Sequence, residues 1–228
     1  MTSVAGVVTS VLTIERPANE RLVIERFGLI PYQEAWDLQR AIQSEVIAGT
    51  SVNKILILEH PSVYTAGRRT EISERPTDGT PVIDVDRGGK ITWHGAGQIV
   101  GYPILKLRKR NDVVGYVREL ETALISVLAE FGLDAVRYCE RSGVWLRDQK
   151  GDRKIAAIGI RVAKGVTMHG FSLNVNPDMS AFDRIDPCGF KDSGVTSISL
   201  ELGRKIEISE VLPTLERHLT QALERICE

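Results

Sequence analysis

Cysteine is scarce in this chain. Three occur in 228 residues, Cys139, Cys188 and Cys227, odd in number and far apart. No C-x-x-C pair or Cys/His ligand spacing is present, which argues against a zinc site or a disulfide framework and for a reducing, cytoplasmic setting. Neither sign of charge dominates: 29 Lys and Arg face 30 Asp and Glu, a net charge of −1. No global pull toward nucleic acid or an anionic membrane follows from that balance. Long apolar runs are missing too. The opening MTSVAGVVTSVLTIERPANE is apolar from Val4 to Ile14, but it lacks a basic start and is too short to span a bilayer. Residues 1–20 therefore read as a weakly ordered extension or edge strand, and 21–228 as one domain without linker or repeat.

What is present is a mixture of long helices and short strands. RLVIERFG (21–28) alternates like a half-buried strand, and KILILEH (54–60) reads as a buried one. Between them, residues 31–49 open on proline and close on glycine, with Ala35, Leu38, Ile42 and Val46 at helical spacing. Short strands are expected at 82–86, 90–93 and 99–107. A second helix lies within 112–131, capped by Asn111 or Asp112 and ended by Gly132. Strands follow at 143–147, 154–162 and 166–175, the last two joined by a hairpin at Ala163–Lys164–Gly165. A helix near 209–226 closes the chain. Strands do not alternate regularly with helices, so the fold class is α+β, a mixed, largely antiparallel sheet flanked by helices.

Chemistry concentrates in a few stretches. DRGGKITWHGAGQIVGYP (86–103) carries five glycines in eighteen residues, which weaken a strand unless backbone must approach something closely. GAGQIVG nearly matches a dinucleotide fingerprint, but its third glycine comes late and Pro103 forbids the helix that should follow. A tight hairpin with solvated charges and a ligand laid along exposed backbone, with His94 facing it, both fit this segment. Cys188 stands between Pro187 and Gly189, whereas Cys139 falls in an expected strand and Cys227 is penultimate. A nucleophilic thiolate needs a nearby histidine or lysine to favour it. His60, His94, His169 and His218 are the histidines; Lys154, opening KIAAIGIRV, is either a solvated strand end or a buried-stem amine. Position alone leaves Cys188 open between structural filler and nucleophile.

Taken in order, RGGKITWHGAGQIVGYP, KIAAIGIRV, HGFSLNV and PCGF followed by VTS resemble the lipoyl(octanoyl) transferases, and LEHPSVYTAGRR and SGVW fit the same family. The resemblance runs from about residue 21 to the C-terminus. It implies the fold of the biotin and lipoate protein ligases. It further implies transfer of an octanoyl group from octanoyl-acyl carrier protein to a lysine of a lipoyl domain. Such domains belong to the 2-oxoacid dehydrogenase complexes and the glycine cleavage H protein. By match of position, Cys188 is implied as the acyl-thioester nucleophile and Lys154 as its partner. The matching acyl-binding residues are Arg87, Gly88, Gly89, Lys90, Ile91, Thr92, Trp93 and His94, then Ala157, Ile158 and Gly159, then Gly170, Phe171 and Ser172.

These implied roles cohere physically. Exchange between two thioesters is nearly isoenergetic, so no cofactor and no metal are called for. Lys154 as ammonium would stabilise the thiolate, and as amine would take a proton from the incoming lysine. Small residues at 95, 97, 159 and 170 are expected to leave a slot for the alkyl chain. Burying six or seven methylenes there would contribute roughly 5 kcal/mol. Backbone N–H groups near Gly189 or in the 94–97 turn are candidates for the oxyanion. KLRKR (106–110) and Arg68–Arg69 offer either a docking surface for an acidic carrier or a solvated loop. An ATP-dependent ligase of the same fold would have no need of Cys188.

Overall fold

A computed structural model describes residues 21–77, 79–139, 141–185 and 193–228. The extension 1–20 and the segment Pro187–Cys188–Gly189 lie outside the described residues. Element order is β1 (Leu22–Leu29), α1 (Tyr32–Ala48), β2 (Asn53–Glu59), β3 (Val63–Ala66), β4 (Val82–Asp84), β5 (Ile91–His94) and β6 (Gln98–Ile104). There follow α2 (Val113–Glu130), β7 (Ala135–Val136), β8 (Val144–Asp148), β9 (Gly151–Ala163), β10 (Val166–Asn174), β11 (Gly194–Val195), α3 (Ile198–Leu202) and α4 (Ile208–Leu223).

Among the described residues the main sheet runs β1-β2-β6-β10-β9-β8-β7, with β11 added to β9. A second, three-stranded sheet runs β4-β3-β5. Antiparallel pairs dominate, while β1–β2, β9–β11 and β3–β4 are parallel. The expected α+β class and mixed sheet hold. The central strands β6 and β10 are buried along their whole length because helices cover both faces. In β2, Leu56 and Leu58 pack with Ala35, Ile42 and Val46 of α1. Their neighbours Ile55 and Ile57 turn the other way, toward Leu120 and Leu124 of α2 and Leu215 and Leu219 of α4. A continuous apolar run is what a strand sandwiched between two helical layers requires.

Local signals set the boundaries. Asp112 caps α2, its carboxylate accepting from Gly115 N at 2.9 Å, and Gly49 closes α1 in the left-handed region at φ 74°. The β9–β10 hairpin turns on Lys164 (φ 53°) and Gly165 (φ 81°), the two positive φ values of a two-residue turn suited to strand twist. Other expectations needed correction. The strand expected at 82–86 stops at Asp84, because Asp86 and Arg87 leave the ladder to make side-chain bonds. The strand expected at 99–107 stops at Ile104; Lys106 and Leu107 make only isolated bridges. Cys139 lies beyond β7, exposed and outside any strand. Among the described residues, no helix is long and apolar enough to cross a membrane.

Candidate active site

Three segments distant in sequence converge on one cavity of about 220 Å³. The β4–β5 loop and β5 bring Arg87, Gly89, Lys90, Ile91, Thr92 and His94. β9 brings Lys154, Ala157, Ile158 and Gly159; β10 brings Gly170, Phe171 and Ser172. Gly88 and Trp93 do not line it. Gly88 N donates to the Ile160 carbonyl at 3.0 Å, fastening the loop to β9. Trp93 Nε1 donates to Ser62 Oγ at 2.9 Å, and its ring stands edge-on to Phe182 at 5.4 Å.

Arg87 is the clamp of the loop. It is 7% exposed. One Nη donates to the Lys90 carbonyl at 2.8 Å and the Gly88 carbonyl at 3.1 Å; the other donates to the Thr65 carbonyl and hydroxyl, both at 2.9 Å. All these partners are neutral, and burial pulls its pKa below the usual guanidinium range. Lys90 is held by Glu74 in the turn Ile72–Glu74.

Three histidines stand around the cavity, all depressed chiefly by burial: His60 to about 4, His94 to about 3 and His169 to about 4. Each is therefore a neutral ring at pH 7. His60 Nδ1 donates to the Ile30 carbonyl at 2.7 Å, leaving Nε2 to accept from Tyr102 Oη at 2.8 Å. His169 Nε2 donates to Asp86 Oδ1 at 2.7 Å, and Asp86 also holds Arg161. His169 sits in β10 with φ 59°, a left-handed conformation that histidine tolerates better than most residues. That kink is held from outside: its backbone N–H donates to Gln39 Oε1 of α1 at 2.9 Å. His94 lies 5.7 Å from His60 and stacks on Tyr32 at 6.1 Å between ring centroids.

Lys154 is half-buried, its Nζ over the Trp145 ring, 4.7 Å from the centroid. β9 is bordered there by β8 through Trp145 and by β11 through Val195, which itself lines the cavity. Its stem packs in an apolar sheet while its amine reaches the cavity, the second of the two readings open from sequence. Among the described residues, no group of three or more His, Cys, Asp or Glu side chains could hold a metal ion.

Comparison with known proteins gives this geometry a family. Residues 31–220 match the lipoyl protein ligase A/B catalytic domain. The octanoyltransferase of Salinispora tropica is 58% identical over 205 residues, covering 89% of this chain and 96% of that protein. The octanoyltransferase of Streptomyces coelicolor is 53% identical over 247 residues, covering 90% and 93%. The chain belongs to the octanoyltransferases. It is thus an acyltransferase, as the motifs implied. The bipartite lipoate protein ligase of Thermoplasma acidophilum shares the fold, with a TM-score of 0.67 at 16% identity over 90% of this chain and 83% of that one. A biotin protein ligase of Aquifex aeolicus superposes less closely, with a TM-score of 0.54 at 16% identity over 90% and 70%.

Within this octanoyltransferase fold, two of the four glycines expected beside an alkyl slot do a different job. A Cβ at Gly95 would stand 2.1 Å from the Trp93 ring, and one at Gly97 2.5 Å from Asn176 Oδ1. At Gly170 it would stand 2.1 Å from the Gly101 carbonyl oxygen, and at Gly159 3.0 Å from Arg87 Cδ. The Cβ position of each of these four glycines is filled by protein; Gly95 and Gly97 admit close packing away from the cavity, whereas Gly159 and Gly170 also line it. The 94–97 turn also loses a candidate oxyanion donor, since Gly97 N–H is committed to Glu59 Oε2 at 2.7 Å. The basic run 106–110 is tied to the chain end: Lys106 pairs with Glu228 at 2.6 Å, and Arg108 Nε donates to the Cys227 carbonyl at 2.8 Å.

Several lining residues escaped the sequence reading, among them Tyr32, Tyr102, Ser142, Asn174 and Phe182. Two of them sat next to usable signals. Tyr32 begins the helix after Pro31, and Asn174 ends the HGFSLNV run. Arg69 lines the cavity as well, whereas sequence left it between a docking surface and a solvated loop.

Proposed function

We infer that this chain moves an octanoyl group from octanoyl-acyl carrier protein to a lysine amine of lipoyl-domain proteins, by way of a thioester on Cys188. The observation that carries this reading is the place of Lys154. It lines the same cavity as twelve of the fourteen residues matched to acyl binding, Gly88 and Trp93 being the two outside it. Cys188 lies outside the described residues, but it follows Phe182 by six positions and precedes Val195 by seven. Both flanking residues line the cavity, and Val195 pairs with Lys154 itself.

The chemistry then divides between two bond exchanges. In the first, the Cys188 thiolate attacks the carrier thioester, a C–S bond forms, and the carrier sulfur leaves with its electron pair. The Lys154 ammonium stabilises the attacking thiolate and gives its proton to the departing one. In the second, the lysine amine of the acceptor attacks the enzyme thioester and Cys188 leaves as thiolate, with Lys154 receiving a proton. Arg87 contributes by fixing the 86–90 loop that walls the cavity. The reading also includes a cytoplasmic location, where free thiols stay reduced.

Incubation with octanoyl-carrier and no ATP, followed by intact mass, tests it. A gain of about 126 Da, one octanoyl replacing one hydrogen, that is lost in Cys188→Ala supports the thioester. Activity that requires ATP and free octanoate, with no adduct, would instead place the chain with the ligases.

A further inference from the structure

A chain of hydrogen bonds joins the backbone of Lys154 to the ring of His94. Thr196 N donates to the Lys154 carbonyl at 2.9 Å. The Thr196 carbonyl in turn accepts from Asn174 Nδ2 at 2.9 Å. Asn174 Oδ1 accepts from Gln98 Nε2 at 2.8 Å, and Gln98 Oε1 meets His94 Nδ1 at 2.7 Å. The direction of every bond follows from its first member. A backbone carbonyl only accepts, so the Asn174 amide must present NH₂ to Thr196 and its oxygen to Gln98. Gln98 must then present NH₂ to Asn174 and its oxygen to His94, a placement reinforced by a second donation to the Trp93 carbonyl at 3.3 Å. The proton of the His94 ring is therefore on Nδ1, and Nε2 carries a lone pair.

His94 lines the cavity. Among the described residues no hydrogen bond to its Nε2 is found. Gln98 is fully buried and Asn174 is 5% exposed, so water does not compete for the two amides that set the tautomer. Burial together with the neighbouring His60 and Arg87 keeps the ring neutral.

A neutral imidazole with its lone pair on Nε2, in a residue that lines the cavity, suits a need that the second bond exchange leaves open. This step rests on the reading above. The acceptor lysine enters as an ammonium and leaves as an amide, so two protons must go. The C–N bond forms, the C–S bond breaks, and Cys188 departs as thiolate with the electron pair. Lys154 as amine takes one proton. We propose that His94 Nε2 accepts an N–H of the incoming lysine and so aims the amine at the thioester, the second proton passing to water, with Gln98 and Asn174 as the positioning residues that hold its tautomer. Charge balances: one ammonium enters, and one thiolate, one Lys154 ammonium and one hydronium result.

Three measurements on the full-length protein decide this. The first needs no variant: nitrogen NMR of the wild-type histidine rings at pH 7. A neutral His94 protonated on Nδ1 is expected, and an Nε2–H tautomer would overturn the proposal. The second compares Gln98→Met with wild type in two separate steps, octanoyl loading from carrier and transfer from the loaded enzyme to a lipoyl domain. Loading should stay within about twofold while transfer slows roughly tenfold or more. Equal slowing of both steps would mean a structural role only, and unchanged transfer would remove the role altogether. The third is rescue. Gln98→Glu, which as a neutral acid offers oxygen to His94 and O–H to Asn174, should recover transfer and the single tautomer, and failure to do so counts against the lock. An absence of adduct on the wild type would refute the Cys188 reading instead, and the tautomer measurement would still decide the lock alone.

Discussion

The three neutral histidines make the fold sensitive to mild acid, and the size of the effect can be worked from their environments. In the unfolded chain each ring titrates near 6.5, whereas in the native cavity His60 and His169 titrate at about 4 and His94 at about 3. Between pH 7 and pH 5 the unfolded state therefore takes up protons that the native state refuses. Stability rises with pH wherever the unfolded state binds more protons, so it must fall as pH drops through 6.5 and continue falling toward 4. From pH 7 to pH 5 each ring contributes a loss of about 2 kcal/mol. Because all three stay neutral in the native state over this range, the losses add to roughly 5 kcal/mol. That is comparable to the whole stability of many domains, about 5–15 kcal/mol. Urea unfolding followed by tryptophan fluorescence at pH 7, 6 and 5 measures it directly. His60→Gln should remove about a third of the pH dependence, whatever it does to stability at pH 7. Equal free energies at pH 7 and 5, or native rings titrating near 6.5 by NMR, would refute the argument.

Other outcomes follow from the packing. Gly170→Ala drives a Cβ to 2.1 Å from the Gly101 carbonyl and 2.7 Å from Pro103 Cδ. Neither can move cheaply, so a loss of about 3 kcal/mol or more, roughly 10 °C in a thermal scan, is expected; Gly28→Ala, with nothing within 4 Å, should leave the melting temperature within about a degree. Arg87→Met leaves the carbonyls of Thr65, Gly88 and Lys90 without their donor, and should cost about 3 kcal/mol in denaturant titration. Lys154→Met should abolish octanoyl adduct formation while leaving the urea midpoint nearly unchanged. Arg69→Glu, at the cavity, should raise KM for carrier-bound octanoyl and for a small thioester alike, several-fold in a steady-state assay.

The parts of the fold that could be read from sequence are those whose causes are local. Pro31 and Gly49 bracket α1, Asp112 caps α2, and the alternation Ile55, Leu56, Ile57, Leu58 marks a strand with two covered faces. Each signal acts within a turn or a pleat, so neighbours in sequence carry it. The elements that were not legible have partners far away. β3 exists because Val63 to Ala66 pair with Ile91 to His94 across the glycine loop. β11 is two residues long and is held by Arg153 and Lys154 of β9. No local pattern announces either one.

The same division explains the site. Residue types pointed to the cavity walls, because glycine beside strand and histidine beside glycine are uncommon and the family motifs fell on them. What residue types could not say was which way each space was filled. A glycine marks a close approach without naming what approaches, and here the visitors are Trp93, Asn176, the Gly101 backbone and Arg87. Arg87 shows the consequence most fully. As a sequence letter in a glycine-rich loop it looks like a ligand contact. In the fold its donors go to Thr65, Gly88 and Lys90, and its stem occupies the space that Gly159 leaves open. The cation thus holds the wall in place, and Phe171, Ile158, His94 and His169 line the cavity together with Gly159 and Gly170. Selectivity for chain length should accordingly respond to substitution at Phe171 more than at Gly95 or Gly97, which do not line the cavity.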